Sequence, residues 1–291
     1  MRRGMWRASA LAAVLVACAG AAGAQQQAPP LKVAKIKDNI YWTQGGSGGN
    51  TGFIIGAPGV IVVDTKTTID SSKEVQAEIA KITPEPVDTA ILTHSDGDHV
   101  NGLAGFPPGL TIIAQENCKK EMVASAGTRG AAPQDRLPTK TVEKDETMTI
   151  DGVHVRLLHW APAHTSGDLV VYFPDQRIVF GGDILVTNRP DTLIHPEKNG
   201  TAAGWIESVK GILTLNADTY VTGHGDLMTR DDVQKKLAFI QDNTTRSKRW
   251  LRKASRSMTS RLPSANPQLR LSPTPTVKCP PPASRRSSTT K

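Results

Sequence analysis

Cysteine is scarce in this chain of 291 residues, with Cys18, Cys118 and Cys279 its whole complement. Cys18 falls in the N-terminal leader described below, so two remain, too few for the disulfide framework of a stapled domain. Cys118 reads as a buried thiol. No apolar run approaches the ~20 residues that a membrane-spanning helix needs. No internal repeat is visible, which removes the solenoid and propeller architectures. Acidic residues are absent from 246–291, where twelve lysines and arginines stand among serines and prolines. What remains is an ordinary globular composition with ample length for a buried core.

The two ends carry their own signals. Arg2, Arg3 and Arg7 precede an apolar run at 8–17 and a small-residue stretch ending Ala22-Gly23-Ala24. A basic start, a short apolar centre and an A-x-A site describe a secretory signal peptide over 1–24 rather than a buried helix. Leu15-Val16-Ala17-Cys18 offers a second exported reading, a lipobox in which Cys18 is lipidated and becomes the mature N-terminus. The Gln-rich stretch after Ala24 favours simple cleavage. Either route leads out of the cytoplasm, with the periplasm the expected location. The formal charge of +8 belongs to the ends, because 25–245 holds 20 basic against 27 acidic residues. A specific nucleic-acid partner is therefore not expected of the body. The tail, 246–291, reads as solvated and disordered; an anion-binding arm and a reading-frame accident are the other readings.

Between the ends, hydrophobic periodicity separates short strands from helices. Strands are expected at 31–36, 40–44, 51–55, 60–63, 87–92, 110–114, 147–150, 153–159, 168–173, 177–180 and 219–221. Helices are expected at 69–82, where Pro84 stops the pattern, from Val100, and at 115–124, 201–213 and 230–245. Residues 125–140 read as an exposed loop. Strands interleaved with helices give an α/β architecture, most simply sheets packed inside helical layers.

The chemistry begins where the apolar strand at 87–92 ends, in Thr93-His94-Ser95-Asp96-Gly97-Asp98-His99. Four side chains able to bind metal within six residues cannot all face one ion from a strand. A tight turn helped by Gly97 can divide them between two neighbouring ions. Taken alone, the segment could also be a solvated turn capping the next helix. Three further elements favour metal: Ala163-His164-Thr165 before a strand, Gly181-Gly182-Asp183 after one, and Thr222-Gly223-His224-Gly225 after another. Glycines beside histidine and aspartate let the backbone turn closely around an ion. His154 and His159 lie on a predicted strand as packing or surface residues. His195 and Lys198, in the segment 186–200, are candidates to touch substrate, and that segment with 125–140 is expected to border the pocket.

The order Asp64, the His94–His99 cluster, His164, Asp183 and His224 resembles the metallo-β-lactamase superfamily. The resemblance implies an αβ/βα four-layer sandwich with two divalent metal ions, zinc above all, at one edge. It implies that His94, Asp96 and His164 hold one metal, that Asp98, His99 and His224 hold the other with Asp183 bridging, and that Asp64 orients the cluster. One position departs from the family pattern H-x-H-x-D-H, since Asp96 stands for the second histidine. The site becomes richer in oxygen, which suits iron or manganese as alternatives.

The implied activity is hydrolysis of an ester, thioester, lactone or lactam in a small-molecule substrate, by a hydroxide the metals hold and Asp98 orients. The bridging Asp183 is similar to that of glyoxalase II and its relatives, whereas export speaks for a periplasmic β-lactamase as the alternative. An iron-dependent oxidoreductase and a non-catalytic binding protein of the same fold are further alternatives. A nuclease is disfavoured, because the interval from Asp183 to His224 leaves no room for an added domain.

Overall fold

Strands that are apolar at every position need cover on both faces, and that demand organises the molecule. The computed structural model describes residues 28–128 and 131–259. The expected leader at 1–24, with Cys18, and the end of the tail, with Cys279, lie outside the described residues.

Seven strands form the first sheet in chain order: β1 (Lys32–Lys37), β2 (Ile40–Gln44), β3 (Thr51–Ile55), β4 (Val60–Val63), β5 (Val87–Ile91), β6 (Thr111–Gln115) and β7 (Lys140–Val142). They pair antiparallel as far as β4 and parallel from β4 onward. The second sheet contains β8 (Asp145–Ile150), β9 (Val153–Leu158), β10 (Val170–Phe173), β11 (Ile178–Phe180) and β12 (Thr219–Val221), in the spatial order β12-β11-β10-β9-β8. Its pairs are antiparallel except β11 with β12.

Because successive side chains point to opposite faces, β4 divides itself between two cores. Ile61 and Val63 meet Val171, Phe173 and Phe180 between the sheets. Val60 and Val62 pack outward with Val75 and Ile79 of α1 (Ile69–Ile82) and Cys118 and Met122 of α3 (Glu116–Ser125). On the far side, Val179 and Tyr220 meet Trp205, Val209 and Ile212 of α4 (Ala202–Thr214) and Val233 of α5 (Arg230–Thr259). Helix, sheet, sheet and helix make the αβ/βα four-layer sandwich. Each fully buried Val, Ile, Leu or Phe contributes about 1.5–3 kcal/mol against exposure.

Three elements differ from the sequence pattern. The helix expected from Val100 starts earlier, as α2 (Gly97–Val100), and tightens into a 3₁₀ turn over Asn101–Gly105. Asp96 is the extended residue before it, so Asp98 and His99 sit on the first helical turn. The segment read as a loop ends in β7, whose parallel pairing with β6 sets Lys140 opposite Ile113. The last helix continues past 245 to Thr259, so the tail is helical over its first residues. That stretch holds no glycine or proline, so nothing local stops it. The described residues divide into two compact units, one ending at Gln241 and the other starting at Asp242. No helix among the described residues is long and apolar enough to cross a membrane.

Candidate metal centre

Two pairs of adjacent parallel strands aim their carboxyl ends at one edge of the sandwich. Asp64 follows β4, the His94–His99 cluster follows β5, Asp183 follows β11 and His224 follows β12. His164 comes from the connection between β9 and β10. Backbone bonds fix the loops there. Gly49 N–H, between β2 and β3, donates to the Asp98 carbonyl within the first sheet's edge (3.0 Å), and Asn50 N–H donates across to the Gly223 carbonyl beyond β12 of the second sheet (2.7 Å). The Asn50 side-chain amide donates to the carbonyls of Thr222 and Gly225, each at 2.9 Å, and so holds the His224 turn. Two glycines are required by close approach. A Cβ on Gly223 would lie 2.0 Å from Asp183 Oδ1, and one on Gly49 would lie 2.4 Å from His99 Cε1.

The hydrogen bonds behind the histidines set which ring nitrogen faces the centre. His164 Nδ1 donates to the Leu193 carbonyl at 2.9 Å, and His99 Nδ1 donates to Asp64 at 2.8 Å. The Thr93 hydroxyl donates its one proton to Asp64 at 2.8 Å, so at 2.9 Å from His94 Nδ1 it can only accept. Each of the three rings thus commits its Nδ1 proton outward and leaves Nε2 for the centre. Asp64 is the shared anchor of this arrangement. It sits at a left-handed φ of 62°, and its other oxygen accepts the Thr93 N–H at 2.8 Å.

Three sets of donors each lie within 4.8 Å of one another: His94, Asp96 and His164; Asp98, His99 and His224; and His94, His99 and Asp183. Asp183 faces both ends of the cluster. Its Oδ1 is 3.3 Å from His99 Nε2 and 3.5 Å from His224 Nε2, and its Oδ2 is 3.8 Å from His164 Nε2. His224 Nε2 is 3.0 Å from Asp98 Oδ2. The fit to cations rests on two buried atoms without any hydrogen-bond partner, His94 Nε2 and Asp183 Oδ1, both turned into the cluster. Buried polar atoms are seldom left unpaired, and a bound ion is one reason for an exception.

Without cations the cluster balances its carboxylates with imidazolium. Burial works against charge on Asp183, yet His99, His94 and His224 outweigh it and hold the carboxyl far below the usual range. Burial likewise opposes the charge on Asp96. The hydrogen bond with His164, the nearby His94 ring and the hydrogen bond from Lys198 outweigh it, holding the carboxyl again well below its usual range. For His99 burial pushes down, while Asp64 and Asp183 push harder and raise it well above the ordinary imidazole value. His164 is raised in the same way, burial being overcome by Asp96. The site is built around positive charge.

All seven ligand candidates, His94, Asp96, Asp98, His99, His164, Asp183 and His224, are therefore brought together, with Asp64 behind them. His195 and Lys198 stand against Asp96: His195 Nε2 is 3.2 Å from its Oδ2 and Lys198 Nζ 2.5 Å from its Oδ1. A cleft of about 160 Å³ opens beside Asp96, Asp98, Asp183 and His224, walled by Val186, Asn188, Arg189 and Leu193. The 186–200 segment thus borders it, and none of the described residues of 125–140 lines it. His154 pairs with Asp175 at the surface (2.9 Å) and His159 donates to the Asp168 carbonyl (2.7 Å), both away from the centre. Cys118 is a buried thiol whose pKa burial pushes well up.

Sequence reasoning passed over Asp168. Its carboxylate accepts the N–H groups of His164 (2.7 Å) and Thr165 (3.0 Å) and the Thr165 hydroxyl (2.7 Å), which fixes the turn that presents His164. Glu121 was missed too; it accepts from the hydroxyls of Ser95 and Ser166 and ties α3 to the motif.

The fold and the centre together define the class of protein. Residues 44–224 match the family model described as the metallo-beta-lactamase superfamily, and the chain belongs to that family. Among curated relatives it is 33% identical over 172 residues to the 2,4-dinitroanisole O-demethylase subunit alpha of Nocardioides sp. (strain JS1661), covering 59% of this chain and 51% of that one. It is 27% identical over 253 residues to the linear primary-alkylsulfatase of Pseudomonas sp. (strain ATCC 19151), covering 69% and 47%. The chain thus spans about half the length of these two relatives. Among solved structures, a metallo-beta-lactamase from Pontibacter korlensis superposes with a TM-score of 0.62 at 19% identity, over 73% of this chain and 99% of that one.

Proposed function

We propose that the protein is a metal-dependent hydrolase with a dinuclear centre, zinc being the expected metal. The observation that carries this reading is the position of Asp183, whose two oxygens face the two ends of the donor cluster. His94, Asp96 and His164 would hold one ion, and Asp98, His99 and His224 the other. Divalent cations held there would supply a water whose pKa is lowered from 15.7 toward about 7 and a Lewis acid for the oxygen of a carbonyl or similar group, making its central atom more electrophilic.

The remaining work falls to the chain. Asp98 is the more open carboxylate, with 38% of its side chain exposed. Burial opposes its charge, but His224 and His99 outweigh that and keep it ionised, so it can orient a water and take its proton. Val186 and Leu193 offer apolar contact to the body of a substrate, and Asn188 and Arg189 offer donors to its polar atoms. A cleft of this size suits a small molecule with an ester, thioester, lactone or lactam group. We read 1–24 as the export leader of this enzyme, with the mature chain starting at Gln25.

The test is elemental analysis of the purified protein followed by a hydrolysis panel of nitrocefin, lactones, thioesters, 2,4-dinitroanisole and a primary alkyl sulfate. The last two are included because relatives are named for them. Two ions per chain and turnover of one class are expected. Asp98→Asn should lower kcat by 10²-fold or more, about the value of a positioned acid–base group, with unchanged circular dichroism. Full activity in that variant would refute the role given to Asp98.

A further inference from the structure

Aspartate at position 96 leaves one end of the centre a nitrogen short, and the fold brings an imidazole to that place from elsewhere. Three Nε2 atoms surround a single oxygen, Asp96 Oδ2: His164 at 3.1 Å, His195 at 3.2 Å and His94 at 3.7 Å. Lys198 occupies the other oxygen, Oδ1, and also donates to Ser95 Oγ at 2.9 Å. It thereby offsets the negative charge that aspartate introduces and turns Oδ2 toward the imidazoles.

His195 is anchored for the task. Its N–H donates to the His164 carbonyl at 2.9 Å, and its own carbonyl accepts from Lys198 and Gly200 at 3.0 and 2.9 Å. Gly200 allows the contact, since a Cβ there would meet the His164 carbonyl oxygen at 2.2 Å. The His195 and His164 rings stand edge to face, 4.8 Å between centroids. Nδ1 of His195 donates to the Glu197 carboxylate. A carboxylate behind a histidine fixes its tautomer and orients its other nitrogen toward metal.

Resting on the dinuclear reading above, we propose that His195 is a ligand of the cation at the His94 end. That end then offers the nitrogens of His94, His164 and His195 with a carboxylate oxygen of Asp96. Three imidazoles suit zinc better than the harder cations, so Asp96 does not shift the site toward manganese.

The experiment compares the parent with His195→Ala, Asp96→His and the double variant Asp96→His/His195→Ala. Cations are counted after dialysis, affinities come from competition with a chromophoric chelator, and the cobalt-substituted proteins give visible spectra. The parent should hold two ions. His195→Ala should lose one, with affinity at that end down by ~100-fold or more and a changed cobalt spectrum, while its circular dichroism stays that of the parent. The Asp96→His change should restore the second ion in the His195→Ala background.

His195→Ala with both ions at parental affinity and an unaltered cobalt spectrum overturns the assignment and leaves the dinuclear reading standing. A loss that Asp96→His fails to restore also overturns it, because it marks His195 as a residue that only positions the loop. A parent that binds no cation overturns both readings together.

Discussion

Asp64 shows how much of the centre depends on a residue that touches no substrate. Three donors end on its buried carboxylate: the Thr93 N–H, the Thr93 hydroxyl and His99 Nδ1. Asp64→Ala would leave all three without partners in the interior, where each unpaired group is costly, and His99 would lose the bond that aims its Nε2. The expected result is a loss of about 3 kcal/mol in urea unfolding of the chelator-treated protein and a 10–100-fold drop in metal affinity. Parental values in both measurements would show that Asp64 does not hold His99. The ligand cluster was legible in the sequence because histidine and aspartate types fall together at the end of an apolar strand. Asp168 was not, since its bonds are local to the turn at His164 and any polar turn can contain an aspartate. The pairing of His195 with Asp96 was hidden for the opposite reason, as it joins loops about a hundred positions apart.

Elements carry the centre by pairing in parallel at two places, β4 with β5 and β11 with β12. Their apolar runs were readable, because strands buried on both faces are continuous rather than alternating. β7 escaped notice, having three residues and an exposed lysine at its start. The early start of α2 escaped for a related reason, as the metal motif itself supplies the helix's first turn. Helix α4 supports the second strand pair through Trp205, fully buried, whose indole N–H donates to the Ile184 carbonyl at 2.8 Å, one residue from Asp183. Trp205→Phe removes that bond, strands the carbonyl and leaves a small void, at a cost of about 2 kcal/mol. Thermal unfolding with and without metal should show a larger loss in the loaded protein, because the Asp183 turn loosens. Equal losses in the two forms would confine Trp205 to packing.

For the molecule as a whole, the fall of stability with rising pH should vanish or reverse when cations bind. In the metal-free form the raised pKa values of His99 and His164 mean that folding favours their protonated state. Stability from such groups is complete below the unfolded imidazole value of about 6.5 and is lost as pH rises toward the raised folded values. The lowered carboxyls of Asp96 and Asp183 contribute above the unfolded value of about 3.9 and lose that only at low pH, so they are constant near neutrality. Lys66 acts the other way but higher up. Burial lowers its pKa to about 8, against the pull of Asp64 and Glu74, so above that pH the native state sheds its proton first and stability recovers. Between pH 6.5 and 8 the imidazoles therefore decide, and the Tm of chelator-treated protein should fall. Cations compete with protons for the same Nε2 lone pairs, so their affinity climbs over this window and their stabilisation climbs with it. The Tm of the metal-loaded protein should hold or rise while the other falls, and the two curves should separate steadily from pH 6.5 to 8. Curves that stay parallel would mean that protons and cations do not share these nitrogens, which the dinuclear centre requires.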